Sequence, residues 1–333
     1  MAAGGDGVAP GDDPGLVDRC VGVLLGSAAG DALGAGYEFT TPAADLVPAM
    51  IGGGLGGFAP GEWTDDTSQA VPIAEAAARG LDLRSPEALD HVAGRFADWY
   101  AEGPADVGIQ TAEVLRRAGR HPSGAQMAEA AREVHDRTGR SAGNGSLMRT
   151  GPVVLAHLDD PDALVEAAQA VAALTHFETV GREASAVWCL LVRHAVVSAA
   201  LPSYDDVAGW VPGDRDHWRR VLAEAEQQPP GAFTTNGWAV GALQAAWSAV
   251  VHTPVPAERP EQHLVEALGT AIRIGHDTDT VAAIAGALLG GRWGASAVPG
   301  TWRGILHGWP GLRADDLESL ARRAIGAGDV SAG

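Results

Sequence analysis

The chain has 333 residues, enough for one large domain or two small ones, and 46% of them are hydrophobic, which allows a sizeable core. Acidic residues outnumber basic ones 42 to 23, giving a formal net charge of −19, and a surface of that sign argues against nucleic acid or an anionic membrane as a general partner. Two cysteines, Cys20 and Cys189, are too few for a disulfide scaffold; both stand in apolar helical runs and read as small core residues.

Residues 1–14 are rich in Gly, Asp and Pro and predict a disordered tail. They lack the basic start and apolar stretch of a secretory leader, so a soluble cytoplasmic protein is expected. The run 16–34 predicts a helix with Gly22, Gly26, Gly30 and Gly34 at intervals of four, all on one face, where a second helix can pack against bare backbone. Its apolar part, 21–30, is too short to span a bilayer. Gly52, Gly54 and Gly57 formally match G-x-G-x-x-G, but no strand precedes them and Pro60 follows where a helix should start. This segment reads as a loop, or a lid over a site. Further helices are predicted over 68–79, 86–101, 107–118, 125–137, 162–174, 181–200, 216–226, 236–251, 260–274, 280–292 and 315–325. Pro72 implies a kink or a late start in the first of these. Convincing alternating strands are missing, and Val153-Val154-Leu155 fits equally well inside a helix. The pattern predicts an all-α, orthogonally packed single domain over 15–327, with a peripheral excursion at 201–232 marked by four prolines.

Two short acidic motifs nearly repeat each other about 210 residues apart: Thr64-Asp65-Asp66-Thr67 and Asp277-Thr278-Asp279-Thr280, each followed by an Ala-rich apolar run. Asp and Thr favour helix starts because their oxygens accept bonds from orphan amides. Four such residues can cap a helix and leave oxygens free, and free carboxylate and hydroxyl oxygens are what hard divalent cations bind. A lone motif of this kind is usually only a cap; two matched ones point to a shared all-oxygen metal site. The turn 141–149 is polar and Gly-rich, and its consecutive amides suit a phosphate cradle or a plain turn. No H-E-x-x-H or paired Cys/His set exists, and no G-x-S-x-G surrounds Ser146. Trp63 and Trp238 stand beside polar loops, where a ring could stack on a base.

These blocks together resemble the ADP-ribosylglycohydrolases. The resemblance runs from about Val17 to about Trp293 and is carried by 26–34 with Tyr37-Glu38-Phe39, by 61–68, by Asn144-Gly145-Ser146-Leu147-Met148-Arg149, and by 275–290. It implies an all-α fold and usually two Mg²⁺ ions, with Mn²⁺ as a substitute. Carried over by position, the metal ligands would be Thr64, Asp65, Asp66, Asp277, Asp279 and Thr280. Glu38, Asp66 and Asp279 become the candidate catalytic residues, with Glu38 or Asp66 exchanging the proton. Ser141, Ala142, Gly143, Asn144 and Gly145 would lie at the diphosphate, His176 near the distal part of ADP-ribose, and Trp238 beside it. His276 stands where a second Gly is usual, and Phe177-Glu178-Thr179 departs from the commoner stretch after Thr-His; both bear on substrate preference. The implied reaction is cleavage of the C1″ bond between ADP-ribose and an acceptor on a modified protein or small molecule. The alternatives are a catalytically inactive ADP-ribose-binding or structural member of the fold, or a metal-dependent hydrolase of another nucleotide conjugate.

Overall fold

The computed structural model describes residue 11 and residues 13–326. Most of the tail expected at 1–14 lies outside the described residues. The regular structure among the described residues is almost entirely helical. The first half holds α1 (Pro14–Gly34), α2 (Asp65–Ala78), α3 (Pro86–Ala101), α4 (Ile109–Ala118), α5 (Gly124–Thr138), α6 (Gly151–Ala156) and α7 (Pro161–Ala173). The second holds α8 (Thr179–Ser198), α9 (Tyr204–Val207), α10 (Arg215–Gln227), α11 (Ala239–His252), α12 (His263–Arg273), α13 (Thr278–Trp293), α14 (Gly300–Arg303) and α15 (Ala314–Ala324). The short strands β1 (His307–Gly308) and β2 (Leu312–Arg313) form one antiparallel hairpin before α15. The all-α expectation holds.

The centre of the molecule is the antiparallel pair α1 and α13. Both are apolar all round and buried almost end to end, as befits helices inside a core rather than on its surface. The glycine face of α1 meets α13 backbone to backbone: Gly22 opposes Gly290, Gly26 opposes Gly286, Gly30 opposes Ala282, and Gly34 opposes the start of α13 at Thr278 and Asp279. A Cβ at any of these glycines would overlap the partner helix. The low helix propensity of glycine is thus offset by an approach that no larger residue permits. Around this pair pack α2, α6, α8, α11, α12 and α15. Trp188 of α8 donates from its indole Nε1 to the carbonyl of Ile284 at 3.2 Å, tying the outer layer to α13. Cys20 and Cys189 are fully buried, and burial pushes both thiols up to about 12, which fits their expected core role.

One local expectation changes. The helix predicted at 68–79 begins three residues earlier, at Asp65, with Pro72 accommodated inside it. Asp65 and Asp66 therefore occupy its first turn, where carboxylates face the positive end of the helix dipole. The segment 201–232 contains α9 and α10, and α10 packs on α11 through the fully buried Trp218 and Leu222. No helix among the described residues is long and apolar enough to cross a membrane.

Candidate functional site

The tight α1–α13 contact sets where the acidic motifs lie. Thr278 donates its hydroxyl to the Gly34 carbonyl at 2.9 Å, pinning the start of α13 to the end of α1. Asp31, one turn earlier in α1, reaches the start of α2. Its Oδ1 accepts from the Thr64 amide at 2.9 Å, and its Oδ2 accepts from the Thr67 amide at 3.0 Å and the Thr67 hydroxyl at 2.6 Å. Thr64, the residue preceding α2, makes no side-chain cap of its own. Asp31 is thus the cap of α2, supplied from another helix.

The two motifs meet across this junction. Oδ2 of Asp66 accepts from the hydroxyls of Thr64 and Thr280, both at 3.3 Å. One oxygen from each of Asp31, Asp66 and Asp279 falls within 4.8 Å of the others, and the same holds for Glu38, Asp277 and Asp279. Asp279 belongs to both groups. Asn144 fixes Asp277 by donating from Nδ2 to its Oδ2 at 2.7 Å, while the Asp277 amide donates to Asn236 Oδ1 at 3.2 Å. His276, just before this motif, has φ 61°, the left-handed region that favours glycine, which accounts for the glycine usual at that place.

Charges of one sign this close repel by on the order of 3 kcal/mol per pair at an effective dielectric of about 20. The titration of the group reflects this. Burial, then the neighbouring carboxylates, raises Asp65, Asp66 and Asp279 well above the ordinary carboxylate range. Burial followed by Asp106, Asp277 and Asp31 pushes Glu38 up to about 8. Burial lifts Asp31 to about 6 against the hydrogen bonds from Thr67 and Thr64. Glu38 Oε2 and Asp66 Oδ1 are buried and have no hydrogen-bond partner. Orphaned carboxylate oxygens among crowded acids, with no sulfur or imidazole in the set, fit a hard divalent cation.

The cluster floors a pocket of about 420 Å³. Glu38, Asp65, Asp277 and Asp279 line it together with Gly143, Asn144, Gly145 and His176. Leu55, on the Gly-rich loop, borders it as well. A separate cavity of about 500 Å³ is lined by Asp82, Arg84, His157, Asp159 and Asp160, where Asp82 is matched by Arg84 at 2.8 Å and, among the described residues, no comparable group of carboxylates converges.

Of the six residues expected at the metal site, Asp66, Asp277 and Asp279 fall in the two carboxylate groups, with Asp31 and Glu38; Thr64 and Thr280 bond to Asp66, and Asp65 lines the same pocket outside both groups. Thr64 and Asp66 lie under the floor, 1% exposed, rather than on the pocket wall. Ser141 and Ala142 lie beneath the loop, outside the pocket lining. The Ser141 hydroxyl is engaged with His135 Nδ1 at 2.8 Å and the Glu178 amide at 3.0 Å. Trp238 is 43% exposed and pairs its backbone with Gly143, at the edge of the pocket rather than in its lining. Trp63 is core: 1% exposed, its indole donates to the Trp309 carbonyl at 3.3 Å, so it has no face for a base. The sequence reading assigned no role to Asp31, Asp106, Gln110 or Thr111, the last three of which line the pocket. Asp31 carried a usable signal, a single carboxylate in a stretch otherwise made of Leu, Ala, Ser and Gly.

The family model described as ADP-ribosylglycohydrolase matches residues 12–332. The chain is 28% identical to the ADP-ribosylarginine hydrolase Tri1 of Pseudomonas putida, over 86% of this chain and 73% of that protein. It is 28% identical to the ADP-ribosyl-[dinitrogen reductase] glycohydrolase of Rhodospirillum rubrum, over 87% and 90%. A solved structure titled as an ADP-ribosylglycohydrolase-related protein complex superposes with a TM-score of 0.69 at 31% identity, over 93% of this chain and 97% of that one. With a match that runs the length of the described fold and takes in both acidic motifs, the chain belongs to the ADP-ribosylglycohydrolase family.

Proposed function

We propose that the protein hydrolyses the bond between C1″ of an ADP-ribosyl group and its acceptor, with divalent cations, Mg²⁺ first among them, at the acidic cluster. The observation that carries this is the convergence of Glu38, Asp277 and Asp279 at the pocket with Asp31 and Asp66 buried beneath them, two carboxylate oxygens being left unpartnered. The family membership and the hydrolase names of the relatives support the reaction class. The ligands would be Thr64, Asp65, Asp66, Asp277, Asp279 and Thr280, with Asp31 holding α2 in place. A cation there supplies positive charge that fixes ribose hydroxyls and makes a nearby water more acidic.

The side chains then divide the remaining work. Cleavage at C1″ passes through an oxocarbenium-like state, which the surrounding carboxylates favour electrostatically. Glu38 lines the pocket, whereas Asp66 lies under the floor, so access favours Glu38 as the carboxylate that takes or gives the proton. Gly143, Asn144 and Gly145 form the wall suited to the diphosphate, and His176 faces them.

The test is hydrolysis of ADP-ribosyl-arginine, ADP-ribosyl-serine and O-acetyl-ADP-ribose, each with Mg²⁺ and with excess chelator. Release of ADP-ribose from at least one substrate, only with the cation, is expected. Failure on all three, or undiminished cleavage in chelator, would overturn the proposal.

A further inference from the structure

A buried polar chain leaves the acidic cluster at Asp65 and ends at His176, which lines the same pocket. Asp65 Oδ2 accepts from Gln69 Nε2 at 2.9 Å. Gln69 Oε1 accepts from Arg149 Nη1 at 2.5 Å. Arg149 Nη2 donates to the Thr175 hydroxyl at 2.6 Å, and that hydroxyl lies 2.7 Å from His176 Nδ1. Arg149 is 0% exposed, stacks with its guanidinium carbon 4.6 Å from the Phe96 ring centroid, and touches no carboxylate directly. A buried cation without a carboxylate partner is costly, which makes a purely space-filling role a poor account of it.

Every link has a forced direction. Arginine can only donate, so Gln69 presents its oxygen to Arg149 and its NH₂ to Asp65. Thr175 Oγ1 likewise accepts from Arg149. Its own proton has one acceptor within reach among the described residues, His176 Nδ1. Were Nδ1 to carry a hydrogen, the Thr175 hydroxyl proton would be orphaned in a site that is 0% exposed. Nδ1 therefore accepts, and the ring hydrogen stands on Nε2. Nε2 has no protein partner among the described residues; it faces the pocket beside Gly143 and Gly145, where a Cβ would lie 3.3 Å from it.

We infer that Arg149 and Thr175 are positioning residues that lock His176 as the Nε2–H tautomer, so that it offers a neutral donor to a phosphate or ribose oxygen of the bound ligand. The same chain, through Gln69, holds Asp65 in the acidic cluster, so these two lining residues share one set of hydrogen-bond directions. The ligand half of this inference rests on the ADP-ribose reading; the tautomer half does not.

The experiment uses ¹⁵N-labelled protein and long-range ¹H–¹⁵N correlation of the His176 ring, assigned by its loss in His176→Gln. Nδ1 is expected in the unprotonated range and Nε2 in the protonated range. Thr175→Val, close in shape, removes the hydroxyl and should abolish that pattern, while Thr175→Ser should restore it. Calorimetry with ADP-ribose and Mg²⁺ should show affinity about tenfold weaker for Thr175→Val and near normal for Thr175→Ser, the worth of about one hydrogen bond. A protonated Nδ1 in the unaltered protein, or an unchanged ring pattern in folded Thr175→Val, overturns the inference. If Thr175→Val does not fold, the spectrum of the unaltered protein and of Thr175→Ser still decides it. Absence of ADP-ribose binding by the unaltered protein would refute the functional reading and leave the tautomer result standing.

Discussion

Gly26 and Gly286 face each other across the centre of the molecule, and each would drive a side-chain carbon into the other's backbone carbonyl. This contact fixes the functional site from a distance. It sets the axial register of α1 against α13, and with it the positions of Asp31 near one end of α1 and Asp279 at the start of α13. The spacing of the carboxylates is thus decided about one to two turns away, by residues with no side chains.

Gly286→Ala should destabilise the protein by about 3 kcal/mol or more, at or above the upper end of overpacking costs, because the clash is with backbone and no rotamer relieves it. Cation affinity should fall with it, since the two helices must separate. Gly94→Ala, in α3 with open space around the position, should be neutral or stabilising by up to about 1 kcal/mol. Thermal melting and cation titration of both variants check this; equal melting temperatures would refute it.

Asp31→Asn should lower the melting temperature and weaken cation binding together. Both carboxylate oxygens of Asp31 accept bonds, from three donors in all, whereas Asn turns an NH₂ toward some of them. Leaving a buried donor unmatched costs about 1–3 kcal/mol. A variant with normal stability and normal cation affinity would mean that Asp31 neither caps α2 nor supports the cluster.

The cation-free protein should lose stability as pH rises from about 7 to about 8.5. Carboxylates in the unfolded chain titrate near 4, so they are charged throughout this window, while the folded state still holds a proton on Glu38, which burial and then Asp106 push up to about 8; burial and the neighbouring carboxylates raise Asp65, Asp66 and Asp279 in the same direction. The folded state binds more protons, and stability therefore falls with rising pH. The depressed histidines His157, His176 and His263 are neutral in both states at the upper end of the window and do not mask the effect. Excess Mg²⁺ should raise the melting temperature more at pH 8.5 than at pH 7. A melting temperature independent of pH without cations would contradict the crowded, protonated cluster.

Much of this was legible in the chain. The helix Pro86–Ala101 is found at its predicted bounds, because Ser85, Pro86 and Gly103 punctuate it locally. The paired acidic motifs announced a shared site, since four oxygen-bearing residues exceed what one cap needs. What was not legible depends on contacts distant in sequence. The early start of α2 follows from a cap that arrives from Asp31, 33 residues before Thr64. Within the Gly-rich turn, sequence did not separate Ser141, which turns inward to His135 and Glu178, from Gly143 and Gly145, which line the pocket. Arg149 looked like the end of a motif; its burial between Gln69 and Thr175 depends on three separate segments meeting.

Asp279→Asn should remove most of the activity and keep the fold. Asp279 contributes an oxygen to both carboxylate groups, so no other single change touches as much of the cluster. Its Oδ1 accepts from the Thr280 amide at 2.9 Å, a bond that Asn can keep, and α13 should still start where it does. The lost charge loosens the cation and, with it, the positioning of ribose and water, which should reduce turnover on the order of 10²-fold or more. The cation-free variant should melt slightly higher than the unaltered protein at pH 7 to 8, because burial and the adjacent Asp66 and Asp277 already make a charge at 279 unfavourable. That gain should shrink toward acid pH, where the aspartate is protonated anyway. Turnover and melting measured on one preparation separate the two effects. Near-normal turnover with cation retained would reduce Asp279 to a residue of the first turn of α13 and remove the centre of the proposed site.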